Sequence, residues 1–579
     1  MRNFCKNLFK FILILGVFWG CEKSESNTLS ISQNKIELQS DSTLVSVTIT
    51  TDAESWNITN PASGWLSLSS TCGKSGSSTI TIKAKEKTGL TRTDTLVLTA
   101  GDATPVQIIV TQLSSEYVYT QSINVSTLTF NKSGNSSDIT ITSSAPKWKI
   151  SSNVDWLTFS VDSGNAGSKV LKITALQNTG SEARNATITL SAQYTPSVTV
   201  AITQKGDLYP SYNTSPIAPD ATGMTSTAVE IAAKMTLGWN IGNTLEAIGG
   251  ETAWGNPRVS NELIKLVKQN GFNAIRIPCS WNQYMANSST AQISESWLSR
   301  VKQVVQYCVD NDMYVILNIH WDGGWLENNC TATQQENNNA KQKAFWEQIA
   351  TNMRDFDEHL IFASANEPAV ENAAQMAVLT SYHQTFINAV RSTGGKNTYR
   401  VLAIQGPSTD IEKTNKLMIS LPTDPTPDKL MVEVHCYTPS TFCILTEDAS
   451  WGKMAYYWGK DYHSTTDTEH NATWGEETTI TQNFKLMSYK FVTKGIPVII
   501  GEFGAVRRSS LTGDALTLHL ASRAYYLKYV TQQARAYGIT PFYWDAGGMD
   551  NNGSAIFNRK TNTVFDQQAL EALQQGASK

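Results

Sequence analysis

Eight apolar, strand-like runs recur between residue 223 and the C-terminus, at 237–243, 274–278, 314–319, 360–365, 400–405, 430–435, 497–501 and 539–544. Segments with helical spacing lie between them. One is 260–270, where Gly271 sits just past the end, in the position that favours a left-handed residue. Another is 294–311, where Trp297, Val301, Val304, Val305 and Cys308 share one face at a period of 3.6. Eight such units leave few folds open. They predict an α/β class domain over 223–579, a (β/α)8 TIM barrel of parallel strands wrapped in helices.

In such a barrel the chemistry sits at the C-terminal ends of the strands. Those ends carry Asn243, Arg276, His320, Asn366 with Glu367, His435 with Tyr437, Glu502 and Trp544. One polar strand end means little; their recurrence on successive strands is the signal. Glycoside hydrolysis needs two carboxyl groups, one to protonate the departing oxygen and one to attack the anomeric carbon or activate water. Glu367 and Glu502 follow the fourth and seventh runs and are the candidate acid/base and nucleophile. A retaining mechanism predicts a separation of about 5–5.5 Å. Arg276 and Tyr437 are placed to keep Glu502 ionised, and Glu367 is expected to have a raised pKa, with His435 modulating it. Asn366 is a candidate hydrogen-bond partner for the sugar 2-hydroxyl. Trp254, Trp321, Trp325 and Trp544 are candidate sugar platforms beside Asn243, with Trp281 evenly poised between cleft and core. Trp451, Trp458 and Trp474 lie in a long insertion after the sixth run.

The preceding stretch is different. Trp56, Arg92 and Gln112 recur 92 residues later as Trp148, Arg184 and Gln204. Trp65-Leu66 and Gly73-x-x-Gly76 recur 91 residues later as Trp156-Leu157 and Gly164-x-x-Gly167. An internal duplication follows. Period-two alternation, as in Ile80, Ile82 and Ala84, predicts two all-β, immunoglobulin-like sandwiches at 28–114 and 118–205, with the tryptophans as core anchors. Pro210, Pro216 and Pro219 make 206–222 a semi-rigid linker.

The N-terminus reads as a targeting segment over 1–21. Arg2, Lys6 and Lys10 precede an apolar run at 11–19, too short to span a bilayer. Gly20-Cys21 then meets a polar run, which resembles a bacterial lipobox, with Cys21 as the lipidated residue. The expectation is a lipid-anchored protein of the outer membrane, on the cell surface of a Gram-negative bacterium. Lys+Arg 46 against Asp+Glu 50 gives a net charge of −4, which offers no field for nucleic acid. The six cysteines outside the leader show no metal-ligand or disulfide spacing, so no metal and no cofactor is expected. A monomer is expected.

The motifs in order resemble a known family. Asn366-Glu367-Pro368 and Gly501-Glu502-Phe503-Gly504 are similar to the acid/base and nucleophile motifs of glycoside hydrolase family 5. Arg276-Ile277-Pro278, Asn318-Ile319-His320, His435-x-Tyr437 and Trp544 agree. The runs 238–245, 251–257 and 320–325 resemble its subfamily 4, which implies endo-β-1,4-glucanase, xyloglucanase or mixed-linkage glucanase activity. The repeats resemble BACON domains, which implies a spacer or a carbohydrate contact. Two departures bear on substrate: Ala363-Ser364-Ala365 before Asn366, and Ala546 where the family usually has Asn. The expected partner is a plant β-glucan polysaccharide or oligosaccharide, xyloglucan first and cellulose or mixed-linkage glucan next. A β-mannan hydrolase, an inactive glycan receptor and an adhesin carried by the sandwiches are the competing readings.

Overall fold

The computed structural model describes residues 26–578 apart from 42, 88 and 115–118. The expected leader and Cys21 lie outside the described residues. The chain divides into two compact units, 1–206 and 207–579.

In the first unit each repeat builds its own seven-stranded antiparallel and parallel array around a separate core. The long strands Leu44–Thr59 and Ser136–Ser152 are bulged and pair with neighbours on both edges. The duplicated landmarks have physical causes. The Arg92 guanidinium lies 4.4 Å from the centre of the Trp65 ring and donates to Gln112 Oε1. Arg184, Trp156 and Gln204 repeat the arrangement, with the guanidinium 4.3 Å from the ring centre. Gly73 and Gly164 pass over the indoles of Trp56 and Trp148, where a Cβ would fall 2.5 and 2.3 Å from ring carbons. The spacing 91–92 is thus the repeat of one tryptophan-centred packing unit.

In the second unit eight strands close a parallel barrel: β1 (Gly238–Ile241), β2 (Ala274–Ile277), β3 (Tyr314–Asn318), β4 (Leu360–Ala363), β5 (Leu402–Gln405), β6 (Leu430–Cys436), β7 (Val498–Phe503) and β8 (Ile539–Asp545). Each coincides with one of the runs read from sequence. Because side chains alternate across a strand, every second residue enters the lumen. Ala274, Ile316, Ile361, Ala403, Met431, Ile499 and Phe542 form one apolar layer there. The short helix Ala228–Lys234, started by a capping box between Thr227 and Glu230, contributes Ala228 and Ile231 to the same cluster and closes the barrel below. Outward residues such as Val315, Leu317, Val432 and Val434 pack under the helices.

Helix Asn261–Gln269 begins at Ser260, whose side chain accepts the Leu263 N–H, and Gly271 follows with φ 88°. Helix Glu295–Asp310 buries the five residues its periodicity selects. The proline-rich stretch, read as a linker, runs along the barrel from residue 207. Glu347 Oε2 accepts from Ser211 Oγ and from the Tyr212 and Asn213 N–H groups, and Ile217 bridges to Gly394.

Candidate active site

Two residues above the apolar layer the lumen turns polar. Asn240, Arg276, Asn318, Gln405 and Glu433 are all fully buried there. Arg276 organises this layer. Its Nη1 donates to Asn240 Oδ1 (3.0 Å) and Glu502 Oε1 (2.8 Å), its Nη2 donates to Asn366 Oδ1 (2.8 Å), and its Nε ion-pairs with Glu433 Oε1 at 2.8 Å. One guanidinium therefore ties β1, β2, β6 and β7 to the end of β4. An unpaired charge in this position would be costly; here each nitrogen has a partner.

The next step up holds Glu367, His435, Glu502, His320 and Trp544. The pairing of β6 and β7 slips there: Val434 faces Ile500, but His435 faces Glu502. This bulge inserts one residue and turns Glu502 into the lumen together with Gly501, a common use of bulges near functional sites. Tyr437 Oη donates to Glu502 Oε2 at 3.0 Å. His435 Nδ1 meets Glu367 Oε1 at 2.7 Å and Glu502 Oε2 at 3.8 Å, and its Nε2 meets Glu433 Oε1 at 3.2 Å. A carboxylate oxygen of Glu367, one of Glu502 and a ring nitrogen of His435 lie within 4.8 Å of one another.

Burial disfavours the His435 cation, but Glu502, Glu367 and Glu433 outweigh it and raise its pKa to about 10. Burial would likewise raise Glu367, yet the hydrogen bond and charge of His435, with Arg276 beyond, hold it below the usual carboxylate range. Glu502 is raised by burial, against His435 and Arg276 and with the help of Glu367. The expectation of a raised Glu367 is thus corrected. In the free site the proton sits on His435, hydrogen-bonded to Glu367, and the three groups titrate as a set. His320, desolvated and near Arg276 and His435, is held neutral. It stacks parallel to Trp544 with ring centres 5.7 Å apart.

Two acidic residues escaped the reading of strand ends. Glu433 lies two positions before His435 on the same face of β6, where period-two alternation from His435 would have found it. Glu327 accepts the Glu367 N–H (3.0 Å) and Asn366 Nδ2 (3.2 Å), while its carbonyl accepts the Ala369 N–H (2.8 Å). It clamps the turn that carries Glu367, and burial raises its pKa to about 7. Nothing in its local spacing marks it.

The tryptophans divide. Trp254 is 47% and Trp321 41% exposed. Trp254 and Asn243 line a cavity of about 480 Å³, and Trp544 and Tyr437 line another of about 200 Å³. Ala546, Asn552 and Ser554 border both. Trp325, expected as a platform, is instead core. Its indole N–H donates to Asp322 Oδ2 (2.8 Å), Phe345 meets its edge and the Lys341 ammonium lies 5.0 Å from its ring centre. Trp281 and Trp458 are also core, whereas Trp451 and Trp474 of the insertion are exposed. The run Ala363-Ser364-Ala365 has a packing cause: Ser364 Oγ meets His383 Nδ1 at 2.9 Å and accepts from Gln342 Nε2.

A closed parallel barrel with paired carboxylates and a buried arginine at its C-terminal mouth, and the exposed indoles of Trp254 and Trp321 in the loops that follow β1 and β3, defines a glycoside hydrolase. The chain belongs to the family described as Cellulase (glycosyl hydrolase family 5), which residues 240–550 match, and residues 54–113 and 147–205 match the BACON family, described as a putative N-terminal binding domain. It is 34% identical over 451 residues to a xyloglucan-specific endo-beta-1,4-glucanase of Bacteroides ovatus, covering 74% of this chain and 86% of that protein. It is 37% identical to an endoglucanase A of Paenibacillus barcinonensis, over 60% of this chain and 90% of the other. Among solved structures, a Bacteroides ovatus family 5 xyloglucanase in complex with a XXXG heptasaccharide superposes with a TM-score of 0.59, at 32% identity, covering 79% of this chain and 99% of that one.

Proposed function

We propose that this protein is a retaining endo-hydrolase of β-1,4-glucan backbones and that branched xyloglucan is its preferred substrate. Glu502, whose carboxylate form Arg276 and Tyr437 favour against the burial that raises its pKa, attacks the anomeric carbon. Glu367, at the partly exposed edge of the cleft, protonates the departing glycosidic oxygen and then activates water to release the glycosyl-enzyme. The observation that carries this reading is the Glu367–Glu502 pair, with carboxylate oxygens within 4.8 Å. So close an approach of one oxygen from each group is in keeping with the roughly 5–5.5 Å carboxyl pair of a retaining enzyme, in which the second carboxylate attacks directly.

Xyloglucan is favoured by the cavities on either side of Ala546, which offer room for branch sugars beside Trp544, and by the substrate named for the Bacteroides ovatus relative. The sandwiches serve as a spacer, and Cys21 anchors the protein by lipid to the outer face of a Gram-negative cell. Metabolic labelling with a fatty acid, lost in Cys21→Ser, tests the anchor.

Incubation with xyloglucan, carboxymethyl cellulose, lichenan and glucomannan ranks the substrates. Dominant cleavage of glucomannan would replace glucan by mannan. Binding without cleavage of any of them would turn the reading into a glycan receptor.

A further inference from the structure

We propose that Glu433 is a positioning residue for the acid step: it holds the Nε2–H of His435, so that the Nδ1 proton is the one exchanged with Glu367. The inference rests on the retaining-hydrolase reading of the Glu367–Glu502 pair.

Glu433 touches no part of the cleft. It is fully buried, yet it meets Arg276 Nε at 2.8 Å and His435 Nε2 at 3.2 Å through Oε1, and accepts from Gln405 Nε2 at 2.6 Å through Oε2. Such a carboxylate has no cause to be neutral, and the burial that would raise it is overcome by Arg276 and then by His435. An ionised carboxylate accepts only. Both ring nitrogens face a carboxylate, but Glu433 is fully buried and ion-paired to Arg276 while Glu367 is partly exposed. Glu433 is therefore the poorer proton acceptor, and the nitrogen facing it keeps its hydrogen when the imidazolium gives up a proton. That leaves Nδ1, 2.7 Å from Glu367 Oε1, as the position that gains and loses a proton. A second-sphere carboxylate that fixes a histidine tautomer is a recurrent device.

The step balances. The Nδ1–H bond breaks and its electron pair stays on nitrogen, while an O–H bond forms on Glu367. The imidazolium becomes neutral imidazole with Nε2–H still donated to Glu433. Glu367 then gives the proton to the departing glycosidic oxygen. When water attacks the glycosyl-enzyme, its proton passes to Glu367 and back to Nδ1. The groups that set this equilibrium are Glu433, Glu367 and Glu502 against the ring, with Arg276, Tyr437 and neutral His320 beyond them.

Glu433→Gln in the full chain is the test, read by the pH dependence of kcat/KM on xyloglucan and by ¹⁵N shifts of labelled histidines, with His435→Gln used only to assign the signal. Removing the buried negative charge should move the basic limb of the profile down by a pH unit or more, with KM within about twofold and activity recovering at lower pH. Glu433→Asp should restore part of the shift. A folded Glu433→Gln with the wild-type basic limb overturns the proposal. If that variant does not fold, wild-type spectra decide. His435 doubly protonated at pH 7, keeping hydrogen on Nε2 when it finally titrates, supports it; a neutral ring at pH 7, or hydrogen kept on Nδ1, overturns it. The spectra need no turnover, so a wild type that cleaves no glucan would sink the hydrolase reading without touching this result.

Discussion

Gly501 and Glu433 compete for one volume: a Cβ on residue 501 would lie 2.0 Å from Glu433 Oε1. Gly501 has no positive φ, so its demand for glycine is one of space alone. Gly501→Ala should push the buried carboxylate off Arg276 and His435. A destabilisation of about 1–3 kcal/mol is expected from overpacking. Urea unfolding should register it, and turnover should fall more than stability does.

Glu502→Gln should abolish hydrolysis and leave oligosaccharide affinity within a few fold, measured by calorimetry. Glu367→Gln should lower kcat by about 10²–10⁴ on polysaccharide, the usual worth of a general acid. The loss should shrink on an aryl glycoside whose leaving group needs no proton. Equal losses on both substrates would remove Glu367 from the acid role.

Trp321→Ala should weaken substrate binding with stability unchanged within about 0.5 kcal/mol, as expected for an exposed side chain. Trp325→Ala should cost about 3–5 kcal/mol of stability through an unfilled core site. Thermal unfolding and KM together separate the two tryptophans.

Ala546→Asn should add bulk to both cavities that Ala546 lines. Activity on xyloglucan should fall relative to activity on carboxymethyl cellulose. An unchanged ratio would mean that branches do not enter there.

Acid should weaken the barrel through two neutral histidines. Burial depresses His383 to about 4, against its Gln405 hydrogen bond, and His519 to about 4, against its bond to Tyr456. The unfolded chain binds protons on these residues near the ordinary value of 6.5, while the folded chain does not. Stability is therefore full above about pH 6.5 and falls as pH drops from there to about 4. His383→Gln, measured by denaturation at pH 7 and 5, should flatten part of that slope.

Much of the barrel was legible because a strand buried on both faces must be apolar throughout. All eight runs became strands, with ends moved by one or two residues. The residues at strand ends were legible for the same reason, since a polar side chain there has few uses in packing. What escaped was depth. Glu433 sits mid-strand between the apolar Val432 and Val434, and only alternation counted back from His435 exposes it. Glu327 meets Glu367 across 40 residues, a relation no spacing encodes. Trp325 was misread because Trp321, in the same short motif, is exposed while Asp322 draws the Trp325 indole inward. Glu367 departs from its expected raised pKa because His435, named as its modulator, is held as a cation by Glu502, Glu367 and Glu433 and so favours the Glu367 carboxylate.

The storeys of the lumen also divide the work of the barrel. The middle one, built from Asn240, Arg276, Gln405 and Glu433, meets only protein, so changes in the loops above can retune which polymer enters without disturbing how the proton is held. A designer wishing to graft a new cleft onto this barrel should keep that storey whole and spend variation on the loops that bear Trp254, Trp321 and Ala546.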